Sequence, residues 1–208
     1  MKTIYLIRHS NQYKNIYCQN DSLDEHTQNI LIPLSCQGEK NAKKIADKYF
    51  SNNINYLCSS EYSRAINTAK YISNNNNIPI NIFSEFNERN LGEPENITEQ
   101  FWLQQLKNEK IKTKNGESQQ EVRNRMLKGI KIVLNSIIDN ESAVIISHAT
   151  AITFLLMNWC ELIDASLEDK TRHLKYKNKT IINDSFKTPE IFKLIFTSKN
   201  KIIEITRI

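Results

Sequence analysis

Two arginines and two histidines stand where apolar runs of the sequence end. Arg8 and His9 follow the run 3–7, Arg64 comes after the run 54–60, and His148 follows the run 143–147. In an open α/β sheet, ligands bind beyond the carboxyl ends of the strands. These side chains therefore predict one polar site at a single edge of the sheet.

A carboxylate is predicted at the same edge, in the loop that follows the weaker third strand, 78–84. This loop carries several charged side chains, namely Glu85, Glu88, Arg89 and Glu93. Spacing alone gives only a weak reason to select Glu88 among the acids.

The combined set of side chains suits phosphate chemistry. Arginine forks bind phosphate oxygens bidentately and keep their charge. A neutral imidazole can attack phosphorus, while a second imidazole and helix N–H groups hold the oxygens. A protonated carboxyl can then donate to the leaving oxygen. Neither a metal ion nor a cofactor is expected, because the sequence has no Asp-rich strand end and no G-x-x-x-x-G-K-[ST] loop.

Taken singly, these residues have simpler interpretations. A lone histidine at a strand end is more often a packed or capping residue, and Arg64 could be a surface residue of a helix. His26 and His173 lie in polar, irregular contexts and are predicted to be surface residues. The functional interpretation depends on the coincidence of four strand ends.

Composition places the chain among single soluble domains. Its 208 residues are 39% hydrophobic and 25% charged, and the net charge of +5 is spread along the chain. That charge suits a small anionic ligand better than nucleic acid. The four cysteines show no metal-ligand spacing, so a reducing cytoplasm is expected. The apolar stretch 143–160 contains polar residues and is interpreted as a strand and a buried helix, so no membrane is expected.

Strands and helices alternate along the chain. Strands are predicted at 3–7, 54–60, 78–84 and 143–147, helices at 38–50, 63–72, 97–110, 118–138 and 149–159, and a β-hairpin at 191–208. The pattern predicts an α/β fold, a three-layer α/β/α sandwich with a mostly parallel central sheet and a C-terminal antiparallel hairpin. We expect one domain over residues 1–208, in which residues 90–140 form a helical segment that covers the substrate.

The motifs at these strand ends resemble those of a known family. They are LIRHSN (6–11), PLSCQGEKNAKKIA (33–46), CSSEYSRAINTA (58–69), FNERNLGE (86–93), NGESQQEVRNR (115–125) and VIISHATAI (144–152). In this order, over nearly the whole chain, the sequence resembles the histidine phosphatase superfamily, also called the phosphoglycerate-mutase-like family. The resemblance implies the same fold and a single histidine-phosphatase domain.

The resemblance also implies a role for each site residue. His9 would be the phosphorylated nucleophile and Glu88 the proton donor. The phosphate pocket would consist of Arg8, Arg64 and His148, with further contacts from Asn15 and from the N–H of Ala149. The chain departs from the family at Ser10, which replaces the usual glycine, and in a longer loop around residues 20–29.

Within the family, the spacing favours the phosphatase branch. Glu88 and His148 are 60 positions apart (148 − 88), without the long insertion of the mutases. The resemblance implies a metal-independent phosphomonoesterase for small phosphorylated substrates. We also expect a cytoplasmic location, as the cysteines indicate, and either a monomer or a homodimer. A 2,3-bisphosphoglycerate-dependent phosphoglycerate mutase and a catalytically silent phospho-ligand binding protein are the alternatives.

The substrate-covering segment offers aromatic and cationic side chains for contact with the rest of the substrate. They are Phe101, Trp102, Lys107, Lys110 and Lys112. The same residues would also be typical of core and solvated surface, and the sequence does not decide between the two.

Overall fold

The computed structural model describes residues 1–13, 23–93, 98–165 and 171–208. Its strands are β1 (Lys2–Arg8), β2 (Tyr56–Ser59), β3 (Asn81–Ile82), β4 (Ser142–Ser147), β5 (Glu161–Ala165), β6 (Arg172–Tyr176), β7 (Lys179–Ile182), β8 (Glu190–Phe196) and β9 (Ile202–Arg207). Its helices are α1 (Glu25–Leu31), α2 (Cys36–Tyr49), α3 (Ser63–Asn76), α4 (Glu99–Lys107), α5 (Gln119–Ser136) and α6 (Ala149–Leu156).

A six-stranded sheet forms the centre, in the order β3-β2-β4-β1-β8-β9. The first four strands in that order are parallel to one another, and β8 and β9 add an antiparallel hairpin beside β1. The register places Arg8 beside Ser147 of β4 and Glu190 of β8. The predicted parallel sheet and C-terminal hairpin are confirmed.

Helices cover both faces of this sheet. Successive residues of a strand point to opposite faces, and β1 shows this because Leu6 and Ile7 belong to different apolar clusters. The cluster of Leu6 includes the buried faces of α5 and α6, and the cluster of Ile7 includes those of α2 and α3. The three-layer prediction is therefore confirmed.

Two parts of the sequence fold differently from the prediction. Helix α1 lies where a loop was expected, and its N-cap residue is Asp24, whose carboxylate accepts a hydrogen bond from the N–H of Thr27. Strands β5, β6 and β7 form a separate antiparallel sheet that the sequence did not predict. Most of β5 is exposed, so its pattern carries no apolar face. His173 therefore lies on β6, half-buried, and not in an irregular segment.

Several predicted bounds also shift. The third strand shortens to Asn81–Ile82 and passes into a 3₁₀ turn, Ser84–Phe86. This turn leads to the loop that carries Glu88, called the acidic loop below. Helix α6 ends at Leu156, and helix α4 at Lys107. In the ranges that the structure describes, no helix combines the length and apolar character needed to cross a membrane.

Candidate active site

His9 lies just beyond β1, with its ring buried against the end of β4. Its backbone N–H donates to the carbonyl of Ser147 at 2.9 Å. Its Nδ1 lies 2.7 Å from the carbonyl oxygen of Ser10. Because a carbonyl oxygen can only accept, Nδ1 carries the proton and Nε2 keeps its lone pair. This Nε2 faces the Nε–H of Arg64 at 3.2 Å.

The surroundings of His9 keep its ring neutral. Burial, followed by the charge of Arg64, lowers the pKa of His9 from 6.5 to about 3; the charge of Arg8 adds to this, and the hydrogen bond to Ser10 opposes it. At neutral pH the ring is therefore an unprotonated imidazole. Such a ring has the lone pair that attack on phosphorus requires.

Arg64 lies in the first turn of α3 and is almost fully buried. Its NH1 donates to the carbonyl of Asn29 in α1 at 2.7 Å, and its NH2 lies 3.4 Å from His148 Nδ1. The guanidinium also lies over the ring of Tyr62, 4.5 Å from the ring centroid. Burial lowers the pKa of Arg64 to about 10, so the group stays charged at neutral pH.

His148 ends β4 and occupies the N-cap position of α6, where it is fully buried. Its Nδ1 faces an N–H of Arg64, so Nε2 carries the proton and donates to Ser60 Oγ at 2.8 Å. Its ring centroid lies 5.0 Å from that of His9. Burial holds the pKa of His148 well below its usual range, and the repulsion that a protonated His9 would exert and the charge of Arg64 act in the same direction.

The carboxyl group of Glu88 meets the N-terminus of α6. Oε1 accepts from the N–H of Ala151 at 3.0 Å and of Arg89 at 2.8 Å, and Oε2 accepts from the N–H of Thr150 at 3.4 Å. The side chain of His148 does not cap α6, so Glu88 instead accepts hydrogen bonds from backbone N–H groups of the first turn, which have no partner within the helix. Burial raises the pKa of Glu88, and the three N–H donors oppose that shift.

Arg8 lies at the end of β1, half-buried. Its NH1 donates to the carbonyls of Phe186 at 2.8 Å and Lys187 at 3.3 Å. Within the described part of the chain, its buried Nε has no hydrogen-bond partner. Burial lowers the pKa of Arg8, while the charges of Glu88 and Glu190 raise it.

The structure describes only one of the two further residues predicted to contact the phosphate, Ala149 and Asn15. Ala149 begins α6 and shares a cavity with Arg8, which puts its backbone N–H at the same sheet edge. Asn15 lies outside the described residues. The structure thus gathers His9, Arg64, His148, Glu88 and Arg8 at the carboxyl ends of β1, β2 and β4. Their roles in catalysis stay predictions.

Sequence reasoning assigned no role to Arg125, although it lies in the segment 115–125. Its NH1 donates to the carbonyls of Glu85 and Asn87, both at 2.9 Å, and its NH2 donates to the carbonyl of Glu88 at 3.2 Å. Glu117 holds the same guanidinium through both carboxylate oxygens, at 2.7 and 2.9 Å. Arg125 therefore fixes the backbone of the acidic loop.

The structure explains why serine is accepted at position 10. Ser10 does not have a positive φ, so its backbone has no requirement for glycine. Its hydroxyl donates to the carbonyl of Gly38 at 2.7 Å, and its N–H donates to Thr68 Oγ1 at 2.9 Å. Glycine is needed at position 38 instead, because a Cβ there would lie 2.0 Å from the carbonyl oxygen of Asn11. Ser10 thus joins the end of β1 to both α2 and α3.

One of the side chains expected to contact the substrate, Phe101, lies near Glu88, because its ring centroid is 6.0 Å from the guanidinium of Arg89. Phe101 is buried in an edge-on contact with Trp102, Lys112 pairs with Glu121, and Lys107 and Lys110 are exposed. Their role in substrate binding stays a prediction. Among the described residues, no group of three or more His, Cys, Asp or Glu side chains could hold a metal ion.

Comparisons with known proteins bear on the family and the fold. The family model for the histidine phosphatase superfamily (branch 1) matches residues 4–182. No curated protein matches the sequence. Among solved structures, YhfR of Bacillus stearothermophilus is 15% identical, with a TM-score of 0.67 over 98% of this chain and 95% of that one.

Two further solved structures carry the names of phosphatases. The mycobacterial glucosyl-3-phosphoglycerate phosphatase is 14% identical, with a TM-score of 0.64 over 99% of this chain and 96% of that one. A mutant phosphoserine phosphatase from Entamoeba histolytica, solved with phosphoserine, is 15% identical, with a TM-score of 0.64 over 99% and 97%. At these identities the likeness shows a shared fold.

Proposed function

The chain belongs to the histidine phosphatase superfamily (branch 1), and from this we propose that it hydrolyses small phosphorylated metabolites through a phosphohistidine on His9. The observation that carries the proposal is the state of His9. Its ring is neutral, its Nδ1 proton is held by the carbonyl of Ser10, and its unprotonated Nε2 accepts a hydrogen bond from Arg64. No metal ion is required, because nucleophile, acid and cations are all side chains of this chain.

In the first step, Nε2 of His9 bonds to phosphorus as the bond from phosphorus to the leaving oxygen breaks. Protonated Glu88 gives its proton to that oxygen, so the product leaves as a neutral alcohol. Burial favours this role, because it raises the pKa of Glu88 and keeps more of the carboxyl protonated. The enzyme is left as phosphohistidine with an ionised Glu88.

In the second step, water bonds to phosphorus and the bond to Nε2 breaks. Ionised Glu88 takes a proton from the water, which restores the protonated acid. Inorganic phosphate leaves, and His9 returns to its neutral form. Arg8 and Arg64 stabilise the charge on the equatorial oxygens throughout, aided by Asn15 and the N–H of Ala149. His148 aids them in its other tautomer, in which the hydroxyl of Ser60 donates to Nε2 and Nδ1–H donates to a phosphate oxygen.

The proposal of small substrates has support from the neighbours. Two of the matched structures are named as phosphatases of small phosphorylated compounds, glucosyl-3-phosphoglycerate and phosphoserine. We extend only that general substrate class to this chain. A cytoplasmic location and a monomeric or homodimeric state stay predictions.

Trapping the covalent intermediate tests the proposal. After rapid quenching with a radiolabelled phosphomonoester, the protein should carry a label that acid removes and alkali does not. His9→Ala should carry no label, whereas His173→Ala, which removes a half-buried histidine of β6, should carry it in full. Full turnover of a generic aryl phosphate by His9→Ala would disprove the assignment.

Both alternatives can be separated from this function. A coupled phosphoglycerate mutase assay should be run with and without 2,3-bisphosphoglycerate. We expect phosphate release in both conditions and no stimulation of isomerisation by 2,3-bisphosphoglycerate. Stimulated isomerisation would identify a mutase. Phosphate binding without any hydrolysis would identify a binding protein.

A further inference from the structure

A cavity of about 180 Å³ lies beside Arg8 and the first turns of α6, and the proposed reaction leaves most of its lining unused. Polar side chains from α6, β6 and the segment before β8 form its wall, among them Thr150, Thr153, Arg172 and Ser185. Because one water occupies roughly 30 Å³ of liquid, the space suits a compact group of a few heavy atoms.

The buried Nε–H of Arg172 finds no acceptor among the described residues. The side chain is 9% exposed, and its guanidinium lies 4.9 Å from the ring centroid of Phe154. Burial lowers the pKa of Arg172 to about 10, so the side chain is still a cation at neutral pH. A buried donor of a cation is unfavourable without an acceptor, which a ligand can supply.

The positive charge of Arg172 is not balanced by the only acid among the described residues that line this cavity. This acid, Asp184, forms an ion pair with Arg207, which also binds Glu190 at 2.7 Å. Arg8 contributes a second cation to the wall. The cavity therefore presents two positive charges beside a carboxylate that is already paired.

We propose that this cavity binds a second anionic group of the substrate, a carboxylate or a second phosphate, through Arg172 while the phosphoryl group lies at His9. The inference rests on the proposed function and narrows its substrate class to small phosphomonoesters with another negative charge. Arg8 borders both positions, so a short molecule can reach from one to the other. Thr150 and Ser185 add hydroxyl groups to the wall.

Matched substrate pairs test the proposal. One pair is 3-phosphoglycerate and glycerol 3-phosphate, which differ by the carboxylate, and the other is fructose 1,6-bisphosphate and fructose 1-phosphate, which differ by a phosphate. The wild-type kcat/KM should favour the member with the extra anion in at least one pair, and the responding pair identifies the anion. Arg172→Gln should reduce that preference by about 10- to 100-fold, as expected for loss of a charged hydrogen bond.

Two further variants complete the experiment. Lys175→Gln removes the same charge from an exposed position of the same strand, and it should leave the preference unchanged. Ser185→Glu places a negative charge at an exposed position of the cavity wall, and it should lower the preference by repulsion. If Arg172→Gln does not fold, Ser185→Glu decides the question.

The outcomes separate this inference from the proposed function. If the wild type hydrolyses none of the esters and no aryl phosphate, the proposed function is wrong and this inference falls with it. If it hydrolyses them without preference, or if Arg172→Gln and Ser185→Glu keep the preference, only the second-anion site is wrong.

Discussion

The Nε–H of Arg64 donates to Nε2 of His9 at 3.2 Å, so the cation is held against the unprotonated nitrogen of that ring. The same guanidinium lies 3.4 Å from Nδ1 of His148. One side chain therefore orients both histidines and holds a charge where phosphate oxygens would gather. A lysine ammonium at the same place is a point charge, and it could not direct fixed N–H groups at His9, at His148 and at the phosphate oxygens together.

Replacing Arg64 by lysine should therefore lower kcat by about 100-fold, although the charge is kept. Steady-state kinetics with an aryl phosphate measure the effect. Lys70→Gln, on the exposed side of the same helix, serves as the control and should behave like the wild type. Near wild-type turnover by Arg64→Lys would show that catalysis needs only the charge at this position and not the planar, forked guanidinium.

Arg125 should act as a positioning residue for Glu88, because it holds the loop backbone through three carbonyls. We expect Arg125→Gln to lower kcat by at least about tenfold. A looser, better hydrated Glu88 should also shift the alkaline limb of the pH–rate profile to lower pH. Arg125→Lys should restore part of the rate. The control is Lys128→Gln in α5, and an unshifted limb in Arg125→Gln would contradict the positioning role.

The pH dependence of kcat/KM should report two groups of the free enzyme. Activity needs neutral His9, so it should fall on the acid side only as pH approaches about 3, the lowered pKa of that ring. It also needs protonated Glu88, so it should fall as pH rises through the raised pKa of that carboxyl. Glu88→Gln should be much slower and lose the alkaline limb that belongs to Glu88. An identical limb in that variant would assign it to the substrate.

Buried neutral histidines should make the fold less stable in acid. In the unfolded chain His9 binds a proton near its ordinary pKa of 6.5, whereas in the fold its pKa is lowered to about 3. Between these values the unfolded state holds more protons, so stability is lost as pH falls. Each such histidine contributes up to about 1.4 kcal/mol per pH unit to the free energy of unfolding.

Urea unfolding at a series of pH values between about 6 and about 4, inside that window, measures this slope. His9→Asn keeps a donor for the carbonyl of Ser10 and should reduce the slope. His173→Asn, at a half-buried position on β6, should keep it. Equal slopes in the wild type and His9→Asn would mean that other groups cause the acid instability.

Ser10 should matter for stability more than for chemistry. Ser10→Ala removes the donor to the buried carbonyl of Gly38, which should lower the free energy of unfolding by about 1–2 kcal/mol. Because the carbonyl of Ser10 still holds the Nδ1 proton of His9, turnover at saturating substrate should persist. Denaturant titration and kcat measured on the same preparation check both halves of this prediction.

The central sheet was predictable because its strands are continuous apolar runs between helices of clear periodicity. Arg8, His9 and His148 were predictable for the same reason, since each closely follows such a run. The strands β5 to β7 were missed because they are short and partly exposed, and α1 because its seven residues include none that is buried. In neither segment do apolar residues recur at the regular spacing that predicts a helix or a strand.

The supporting contacts could not have been predicted from spacing. Ser60 binds His148 across 88 positions, and Arg125 holds the carbonyl of Glu88 across 37. Such pairs depend on the packing of α5 and α6 against the sheet, which no local pattern encodes. The cavity at Arg172 is of the same kind, because its wall combines α6 with the unpredicted second sheet.

If Glu88 transfers the proton as proposed, its capping of α6 would link that transfer to substrate recognition. An ionised carboxylate attracts the positive end of a helix, and a protonated one attracts it less. Each turnover would therefore tighten and relax the first turn of α6 as Glu88 loses and regains its proton. Thr150 and Thr153 of that helix line the cavity proposed for the second anion. In the proposed mechanism, the helix whose first turn responds to each proton transfer would thus also form part of the wall that contacts the substrate.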